Sequence, residues 1–315
     1  LWPITVFDGI NDPDNEEINY YYPTSDLVTA PEIIFFWVAR MIVAGYEYRE
    51  EMPFKNVYFT GIVRDKQRRK MSKSLGNSPD PIELMKKYGA DGVRVGMLFS
   101  APAGNDLLFD EKLCEQGRNF SNKLWNAFRL IQTLEVTDKG KDQSLAIDWI
   151  NSRFNEVLSE VEDHFSKYRI SDALLSLYTF IWDDFCSWYL EIIKDNSISN
   201  KTHKGTISLL NKILKTLHPF MPFITEELWN QIDKERDYIM VSDYPLTEKF
   251  DKNLNNDFKK IFEIVSGLRK LKSDNKIKQI ELVEVMVNKK SEFNFNKYSD
   301  LIEKLSKTKN LEAVK

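Results

Sequence analysis

The sequence predicts a mainly helical protein in three parts: an alternating α/β segment, a helical bundle and a small α+β lobe. Three observations support this fold class. Apolar runs bounded by turn residues alternate with helical patterns in residues 1–106. The apolar period becomes helical in residues 107–236, and residues 237–315 combine helical segments with strand-like alternation.

The first part reads as strand, helix and strand in turn. Residues 19–28 are expected to be extended, and Pro31 opens a predicted helix that runs to Gly45. The apolar run from Asn56 to Val63 predicts a buried strand. This alternation is typical of half of a Rossmann-type, nucleotide-binding α/β sheet.

A strongly basic loop follows the predicted strand. Arg64 to Lys73 contain six cations in ten positions, and Ser74 to Asn77 close the segment. A strand that delivers a cationic, serine-rich loop can direct ammonium groups and hydroxyls at a polyphosphate. The same composition is also typical of a solvated charge run or a nuclear-localisation tract.

A well-marked helix start limits the basic loop on its other side. Asp80 is the expected N-cap, Pro81 the first helical residue and Glu83 the partner in a capping box, while Gly89 ends the helix. The loop is therefore expected to be held at both ends and free to move only in its middle.

The second part carries long amphipathic patterns with short connections, which predict an antiparallel helical bundle. We expect helices from Asp110, at residues 171–194 and 202–217, and from the Pro219–Pro222 corner to Ile232. Six aromatic residues could form a base-stacking surface, but their helical spacing favours the bundle core. They are Tyr178, Phe180, Trp182, Phe185, Trp188 and Tyr189.

The third part follows a connector, residues 237–254, that contains proline and charges. A helix is expected at residues 255–272, a strand at residues 280–287, a helix near residues 300–307 and an extended segment at residues 311–314. The sequence contains no sustained heptad pattern, so we expect no coiled coil.

Composition narrows the class of protein. The net charge of −4 requires any nucleic-acid contact to come from local basic patches. No apolar stretch approaches the roughly 20 residues of a membrane span. The histidines and cysteines are not spaced like metal ligands, so we expect no protein-bound metal. Cys114 and Cys186 lie in helical patterns and are expected to be reduced core thiols of a cytoplasmic protein. The chain starts at Leu1 without a signal peptide, which suggests a fragment or a processed chain.

The run Lys70-Met71-Ser72-Lys73-Ser74 matches the Lys-Met-Ser-Lys-Ser signature of class I aminoacyl-tRNA synthetases in full. Together with other segments in the same order and approximate spacing, it makes the chain resemble valyl-tRNA synthetases from about Tyr20 to Trp229. These segments are Tyr22–Ser25, Phe35–Met41, Gly61–Asp65, Asp80-Pro81 with Lys87–Asp91, Gly117–Asn126 and Leu217–Trp229.

The resemblance implies ATP-dependent activation of valine to valyl-adenylate and transfer to tRNA(Val), with ATP and Mg²⁺ entering as a substrate complex. It also implies that Lys70, Met71, Ser72, Lys73 and Ser74 form the ATP-binding loop. Lys73 would contact the transferring phosphate charge directly and Lys70 would assist it, while Ser72 and Ser74 would hold the loop by hydrogen bonds. Residues 107–236 would be the anticodon-binding bundle.

Three further residues enter through the resemblance. Glu32, in the turn Thr29–Glu32, would approach the adenosine ribose where many relatives carry Gly-x-Asp; its alternative role is that of an acid in the first turn of a helix. Ile33 and Trp37 lie four residues apart and would line the valine side-chain pocket. Simple burial against the sheet is the alternative for both residues.

The chain lacks the His-Ile-Gly-His signature and the editing domain of such enzymes. The resemblance therefore implies a partial active site that needs the missing N-terminal half of the same polypeptide, so the isolated chain is expected to be inactive. A noncatalytic RNA-binding module derived from a synthetase remains an alternative. An interaction or targeting tract is disfavoured, because the basic loop lies between a strand and a capped helix.

Overall fold

The computed structural model describes residues 2–9, 11–101, 106–194, 197–278, 284–288 and 293–314. The chain forms two compact units. Unit 1 comprises Leu1–Gly117 and His164–Asp172, and unit 2 comprises Arg118–Asp163 and Ala173–Lys315. Unit 1 is therefore assembled from two separate stretches of the chain.

Unit 1 begins with α1 (Trp2–Val6) and α2 (Glu16–Tyr21), followed by strand β1 (Thr24–Thr29). The prediction of an extended segment from residue 19 is wrong at its start. The Asn15 side chain accepts hydrogen bonds from the backbone N–H groups of the second and third residues of α2, so it caps that helix. The strand begins only after the helix has ended.

The helix predicted from Pro31 is confirmed but is not a regular α-helix. Pro31–Ile33 form a 3₁₀ turn, Ile34–Val38 a π-helical segment and Ala39–Arg49 the α-helix α3. The prediction that Gly45 ends it is wrong. A Cβ at Gly45 would lie 2.8 Å from the Tyr22 hydroxyl, so this glycine permits close packing inside the helix.

Strand β2 (Phe54–Phe59) pairs in parallel with β1, from Thr24 opposite Phe54 to Thr29 opposite Phe59. The strand predicted at residues 56–63 therefore starts and ends earlier. A second, short parallel pair joins β3 (Val63–Arg64) to a strand at Leu107–Leu108. The parallel pairing confirms the predicted α/β character.

Helices α4 (Pro81–Tyr88) and α5 (Ala90–Phe99) follow the basic loop, and Leu107–Leu108 is strand β4. The Asp80 cap is confirmed, because its carboxylate accepts from the Ile82 N–H at 2.7 Å. The Glu83 carboxylate binds Lys86 at 2.7 Å. A Cβ at Gly96 of α5 would lie 2.6 Å from the Cys114 backbone nitrogen, so the glycine brings α5 against the next helix, α6 (Glu111–Thr133).

Residues 107–117 and 164–172 of the predicted bundle belong to unit 1, and the rest of the bundle lies in unit 2. The elements are β5 (Val136–Lys141), α7 (Ser144–Ser166), α8 (Ile170–Thr179), a π-helical segment (Phe180–Tyr189), α9 (Leu190–Ile193), α10 (Asn200–Leu217) and α11 (Pro222–Ile232). Phe180, Phe185 and Tyr189 are fully buried. The core prediction is confirmed for these three rings, whereas Tyr178, Trp182 and Trp188 are half-buried.

The C-terminal part of unit 2 has the predicted α+β pattern. A 3₁₀ turn (Ile239–Val241) precedes α12 (Lys252–Asp274), β6 (Glu284–Asn288), α13 (Phe295–Ser306) and β7 (Lys309–Val314). Strands β6 and β7 pair in parallel, and residues 280–283 of the predicted strand lie outside the described residues. The buried Lys272 ammonium donates to the Ser306 carbonyl at 3.1 Å, which stabilises the C-terminal end of α13.

Both cysteines are free thiols. Burial raises the pKa of Cys114 and raises the pKa of Cys186 to about 12, so neither is a reactive thiolate at neutral pH. In the described ranges, no helix is long and apolar enough to cross a membrane. Within the same ranges, no group of three or more His, Cys, Asp or Glu side chains could hold a metal ion.

Candidate functional site

The carboxyl ends of the parallel strands β1 and β2 lie side by side. The Thr60 N–H donates to the Thr29 carbonyl at 2.9 Å, just beyond the last strand pair. The 3₁₀ turn that follows β1 carries Glu32. Ligands of parallel α/β sheets bind at this edge, so the segments after β1 and β2 are the first candidates for a site.

The basic segment after β3 folds as a small hairpin. Arg64 pairs with Lys70 in an antiparallel bridge, and the Met71 N–H donates to the Val63 carbonyl at 3.0 Å. The Met71 side chain packs against a buried apolar cluster. That cluster consists of Leu84, Tyr88, Leu107, Phe109 and Cys114. Backbone pairing and Met71 therefore anchor the base of the loop.

A buried carboxylate, Asp65, organises the tip of the hairpin. Its Oδ1 accepts from the backbone N–H groups of Gln67 at 3.0 Å and Arg69 at 2.9 Å, and its Oδ2 accepts from Arg69 Nε at 2.8 Å. Desolvation would raise the pKa of Asp65, but hydrogen bonds from Asn77 and Arg69 outweigh it and lower the pKa to about 2. The carboxylate is thus ionised at neutral pH.

Asn77 ties the hairpin to the second half of the loop. Its amide donates to Asp65 Oδ2 at 3.0 Å and to the Lys70 carbonyl at 3.3 Å, and its oxygen accepts from the Ser72 N–H at 2.9 Å. The Ser72 hydroxyl lies 3.1 Å from that of Ser74. We call Asp65 and Asn77 the loop latch. Its hydrogen bonds cross the middle of the loop, which the sequence predicted to be unrestrained.

Most cations of the loop are paired with carboxylates. The pairs are Arg64 with Asp106, Lys66 with Asp110 at 3.7 Å, Arg69 with Asp65 at 2.8 Å, and Lys70 with Glu32 at 2.8 Å. The side chains of Arg68 and Lys73 are exposed and have no carboxylate partner in the part of the chain that the structure describes. These two cations are therefore available to an anionic ligand.

The ion pair between Lys70 and Glu32 joins two predicted site residues. The Lys70 ammonium lies 2.8 and 2.9 Å from the two carboxylate oxygens of Glu32 and connects the loop to the carboxyl end of β1. Both side chains are about half exposed, and exposed ion pairs contribute little stability. A charged ligand can therefore replace either partner at small cost.

Ile33 and Trp37 lie on the turns after Glu32, at the end of the 3₁₀ turn and within the π-helical segment. Ile33 is half-buried, whereas Trp37 is 57 % exposed and is therefore not buried by the described part of the chain. A π-helix bonds residue i to residue i+5, so the four-residue face expected from an α-helix does not carry over directly. Phe35 and Phe36 are exposed as well, which makes this segment an open apolar surface.

Sequence reasoning missed the structural part that Asp65 and Asn77 play in the loop. Both stand in the quoted motifs, but no role was inferred for either. The available signal was local: an acid four residues before an arginine and an asparagine after Gly76, which adopts φ +63°. Asp65 and Asn77 are 12 residues apart in the sequence, and their side chains meet only in the folded loop.

We expect Asp65→Asn to loosen the loop without unfolding the protein. The folded pKa of about 2 lies below the ordinary value of 3.8, so the carboxylate stabilises the loop above about pH 4, and this is lost as the pH falls towards 2. At neutral pH the variant should be cleaved by trypsin within the loop severalfold faster. Asp80→Asn is the matched control, since asparagine caps a helix as well as aspartate. Equal cleavage of all three proteins would contradict the latch.

Two family models match the chain. "tRNA synthetases class I (I, L, M and V)" matches residues 1–110, which include the loop, and "Anticodon-binding domain of tRNA ligase" matches residues 148–287. A valine–tRNA ligase from Christiangramia forsetii is 53 % identical over the whole chain, and one from Phocaeicola vulgatus is 54 % identical over the whole chain. The chain belongs to the valyl-tRNA synthetase family. A more distant member from Fusobacterium nucleatum is 42 % identical over 91 % of the chain.

The chain spans about a third of the length of its curated relatives, covering 37, 36 and 34 % of the three named above. Solved structures share its fold. The Agrobacterium radiobacter K84 agnB2 LeuRS in a complex with tRNA and LeuAMS matches 80 % of the chain and 32 % of its own, at 18 % identity and a TM-score of 0.57. A Mycobacterium tuberculosis methionyl-tRNA synthetase bound by methionyl-adenylate matches 70 % of the chain and 46 % of its own, at 21 % identity and a TM-score of 0.53.

Proposed function

We propose that this chain supplies the ATP-binding loop, part of the valine pocket and the tRNA-binding bundle of a valine–tRNA ligase. The reaction is activation of valine by ATP, presented with Mg²⁺, followed by transfer of the valyl group to tRNA(Val). The observation that supports it most is the arrangement of the Lys70–Ser74 loop. Its Lys73 has no carboxylate partner among the described residues, and Lys70 joins the loop to the edge of a parallel sheet.

The proposed chemistry explains why this loop contains cations. In the first step the valine carboxylate attacks the α-phosphate of ATP, and negative charge gathers on the phosphoryl oxygens and the departing pyrophosphate. Lys73 stabilises that charge directly, and Lys70 assists after leaving Glu32. Met71 anchors the loop, while the hydroxyls of Ser72 and Ser74 fix its second turn. A preorganised loop pays little to reorganise during the reaction.

The turn after β1 has a complementary role in this proposal. Glu32, once released from Lys70, accepts hydrogen bonds from the ribose hydroxyls of ATP. The exposed Trp37 and the half-buried Ile33 form one wall of the valine pocket. An apolar wall of this kind separates aliphatic side chains by only about 1–3 kcal/mol per methylene. The apolar wall alone is therefore too weak to reject close analogues of valine, and a second selection step is needed.

We further propose the division into a catalytic part at 1–106, an anticodon-binding bundle at 107–236 and a C-terminal lobe at 237–315. The isolated chain is inactive in this proposal, because no His-x-Gly-His sequence is present to supply the opposing side of the ATP site. That absence also keeps a second candidate function open, a noncatalytic RNA-binding module. Pyrophosphate exchange by the chain joined to the N-terminal part of a relative separates the two functions.

Selective tRNA binding tests the role of the bundle. The chain is expected to bind tRNA(Val) more tightly than an unrelated tRNA, with an affinity that falls steeply as salt rises. The preference should survive at moderate salt, because base contacts are less salt-dependent than phosphate contacts. Filter binding or fluorescence anisotropy at several salt concentrations provides the measurement. Equal affinity for both tRNAs at every salt concentration would refute anticodon reading.

A further inference from the structure

We propose that Arg68, at the tip of the basic hairpin, binds a backbone phosphate of RNA. Arg68 lies outside the Lys70–Ser74 run that the proposed function uses. Three properties of the residue support the assignment: its backbone conformation, the absence of a carboxylate partner in the described ranges and its place in the loop. The inference rests on the proposed function only in taking RNA as the ligand.

Arg68 occupies an unfavourable backbone conformation. Its φ of +64° lies in the left-handed region, where glycine fits freely and a residue with a Cβ is strained. The conformation is fixed, because the Arg68 N–H donates to the Asp65 carbonyl at 2.8 Å and its carbonyl accepts from Arg64 Nη1 at 3.1 Å. Residues of this kind are common at ligand-binding sites. Lys276 also has a left-handed φ, so the conformation supports the assignment only together with the position of Arg68 in the loop.

The guanidinium of Arg68 is available to a ligand. Its exposed side chain has no carboxylate partner among the described residues, whereas the neighbouring Arg69 is bound to Asp65 at 2.8 Å. A free guanidinium presents a planar set of donors that matches the oxygens of a phosphate. The latch holds the turn from which it projects, so little backbone order is lost on binding.

The position of Arg68 favours a nucleic-acid phosphate over the ATP phosphates. Arg64 and Lys70 form the bridge at the base of the hairpin, and Lys70 contacts Glu32 beside the strand ends. Arg68 stands beyond that bridge, at the tip of the hairpin. Lys73, which is exposed and has no carboxylate partner in the part of the chain that the structure describes, remains for the triphosphate. Since the whole chain carries a net charge of −4, RNA must be held by local cations of this kind.

A pair of glycine variants tests the inference on the chain itself. Arg68→Gly removes the cation and relieves the left-handed strain. Lys276→Gly is the matched control, because Lys276 is also an exposed cation with a left-handed φ, +57°, in unit 2. Affinity for tRNA(Val) and its salt dependence would be measured by anisotropy, alongside thermal unfolding.

Arg68→Gly is expected to weaken tRNA binding roughly three- to tenfold and to reduce the slope of log K against log salt by about 0.7–0.9, the value for one lost phosphate contact. Its unfolding temperature should not fall, so that misfolding cannot explain the loss. Lys276→Gly should leave both binding quantities unchanged. Arg68→Asn, which tolerates the same backbone conformation, should repeat the result.

An unchanged salt slope in Arg68→Gly would overturn the inference and leave the proposed function standing. Equal losses in the Arg68 and Lys276 variants would also overturn it, since any exposed cation would then suffice. Absence of tRNA binding by the unaltered chain would refute both the inference and the RNA-binding part of the proposed function.

Discussion

Replacing Lys73 by alanine is expected to slow valine-dependent exchange of pyrophosphate into ATP by a factor on the order of 10²–10³, as removal of one preorganised donor to a transition-state charge typically does. Lys73 is the cation of the signature without a carboxylate partner in the described part of the chain, so its charge is not offset locally. The assay requires a complete protein, in which this chain replaces the corresponding segment of the Christiangramia forsetii relative.

Two comparisons make the Lys73 result specific. Lys86→Ala removes an exposed lysine of α4 that pairs with Glu83, and it should leave the exchange rate unchanged. The unjoined chain should give no valine-dependent exchange. Full activity of the Lys73→Ala protein would show that Lys73 does not take part in valine activation. Robust exchange by the unjoined chain would refute the proposal that it carries only one side of the ATP site.

Phe185→Ala is expected to lower the free energy of unfolding of unit 2 by about 3–5 kcal/mol, the usual cost of removing a buried aromatic ring and leaving a cavity. The Phe185 ring has no exposed surface and stacks on Tyr189 with ring centres 5.8 Å apart. Denaturant unfolding followed by circular dichroism measures the loss. Because the chain forms two compact units, the unfolding transition of unit 2 must be resolved from that of unit 1.

Tyr238→Ala is the matched control for Phe185→Ala, because it removes an aromatic ring of unit 2 that is 69 % exposed. Its effect should stay within about 0.5 kcal/mol, as for most surface substitutions. If Phe185→Ala instead left stability intact and weakened RNA binding, the aromatic cluster would be a stacking surface after all.

The bundle helices could be predicted from sequence because their signals are local and repeated. A few neighbouring residues are enough to predict each element. The apolar period predicts α10, and Asp80-Pro81 predict the start of α4. The irregular segments could not be predicted in this way. Ile34–Val38 and Phe180–Tyr189 have the composition of α-helices, and their π-helical spacing depends on tertiary packing.

The site was predictable only in part, for a similar reason. The five residues Lys70–Ser74 are contiguous in the sequence, so a local pattern was enough to predict an anion-binding loop. The contacts that organise them are non-local: Lys70 meets Glu32 across 38 positions, and Asp65 meets Asn77 across 12. Composition shows the number of cations in the loop, but only folded geometry shows which of them are already neutralised.

Unit 1 is built from two stretches of the chain, so it cannot finish folding during synthesis until the second stretch has been made. The Tyr168 hydroxyl donates to Asp26 at 2.5 Å, and the Ser171 hydroxyl donates to the Leu98 carbonyl at 2.7 Å. The ribosome releases both donors only after Arg118–Asp163 have been made. The nascent chain must therefore carry an unfinished first unit while α6 and α7 emerge, a period in which a chaperone has uncovered surface to bind. No single cut in the chain separates the two units intact.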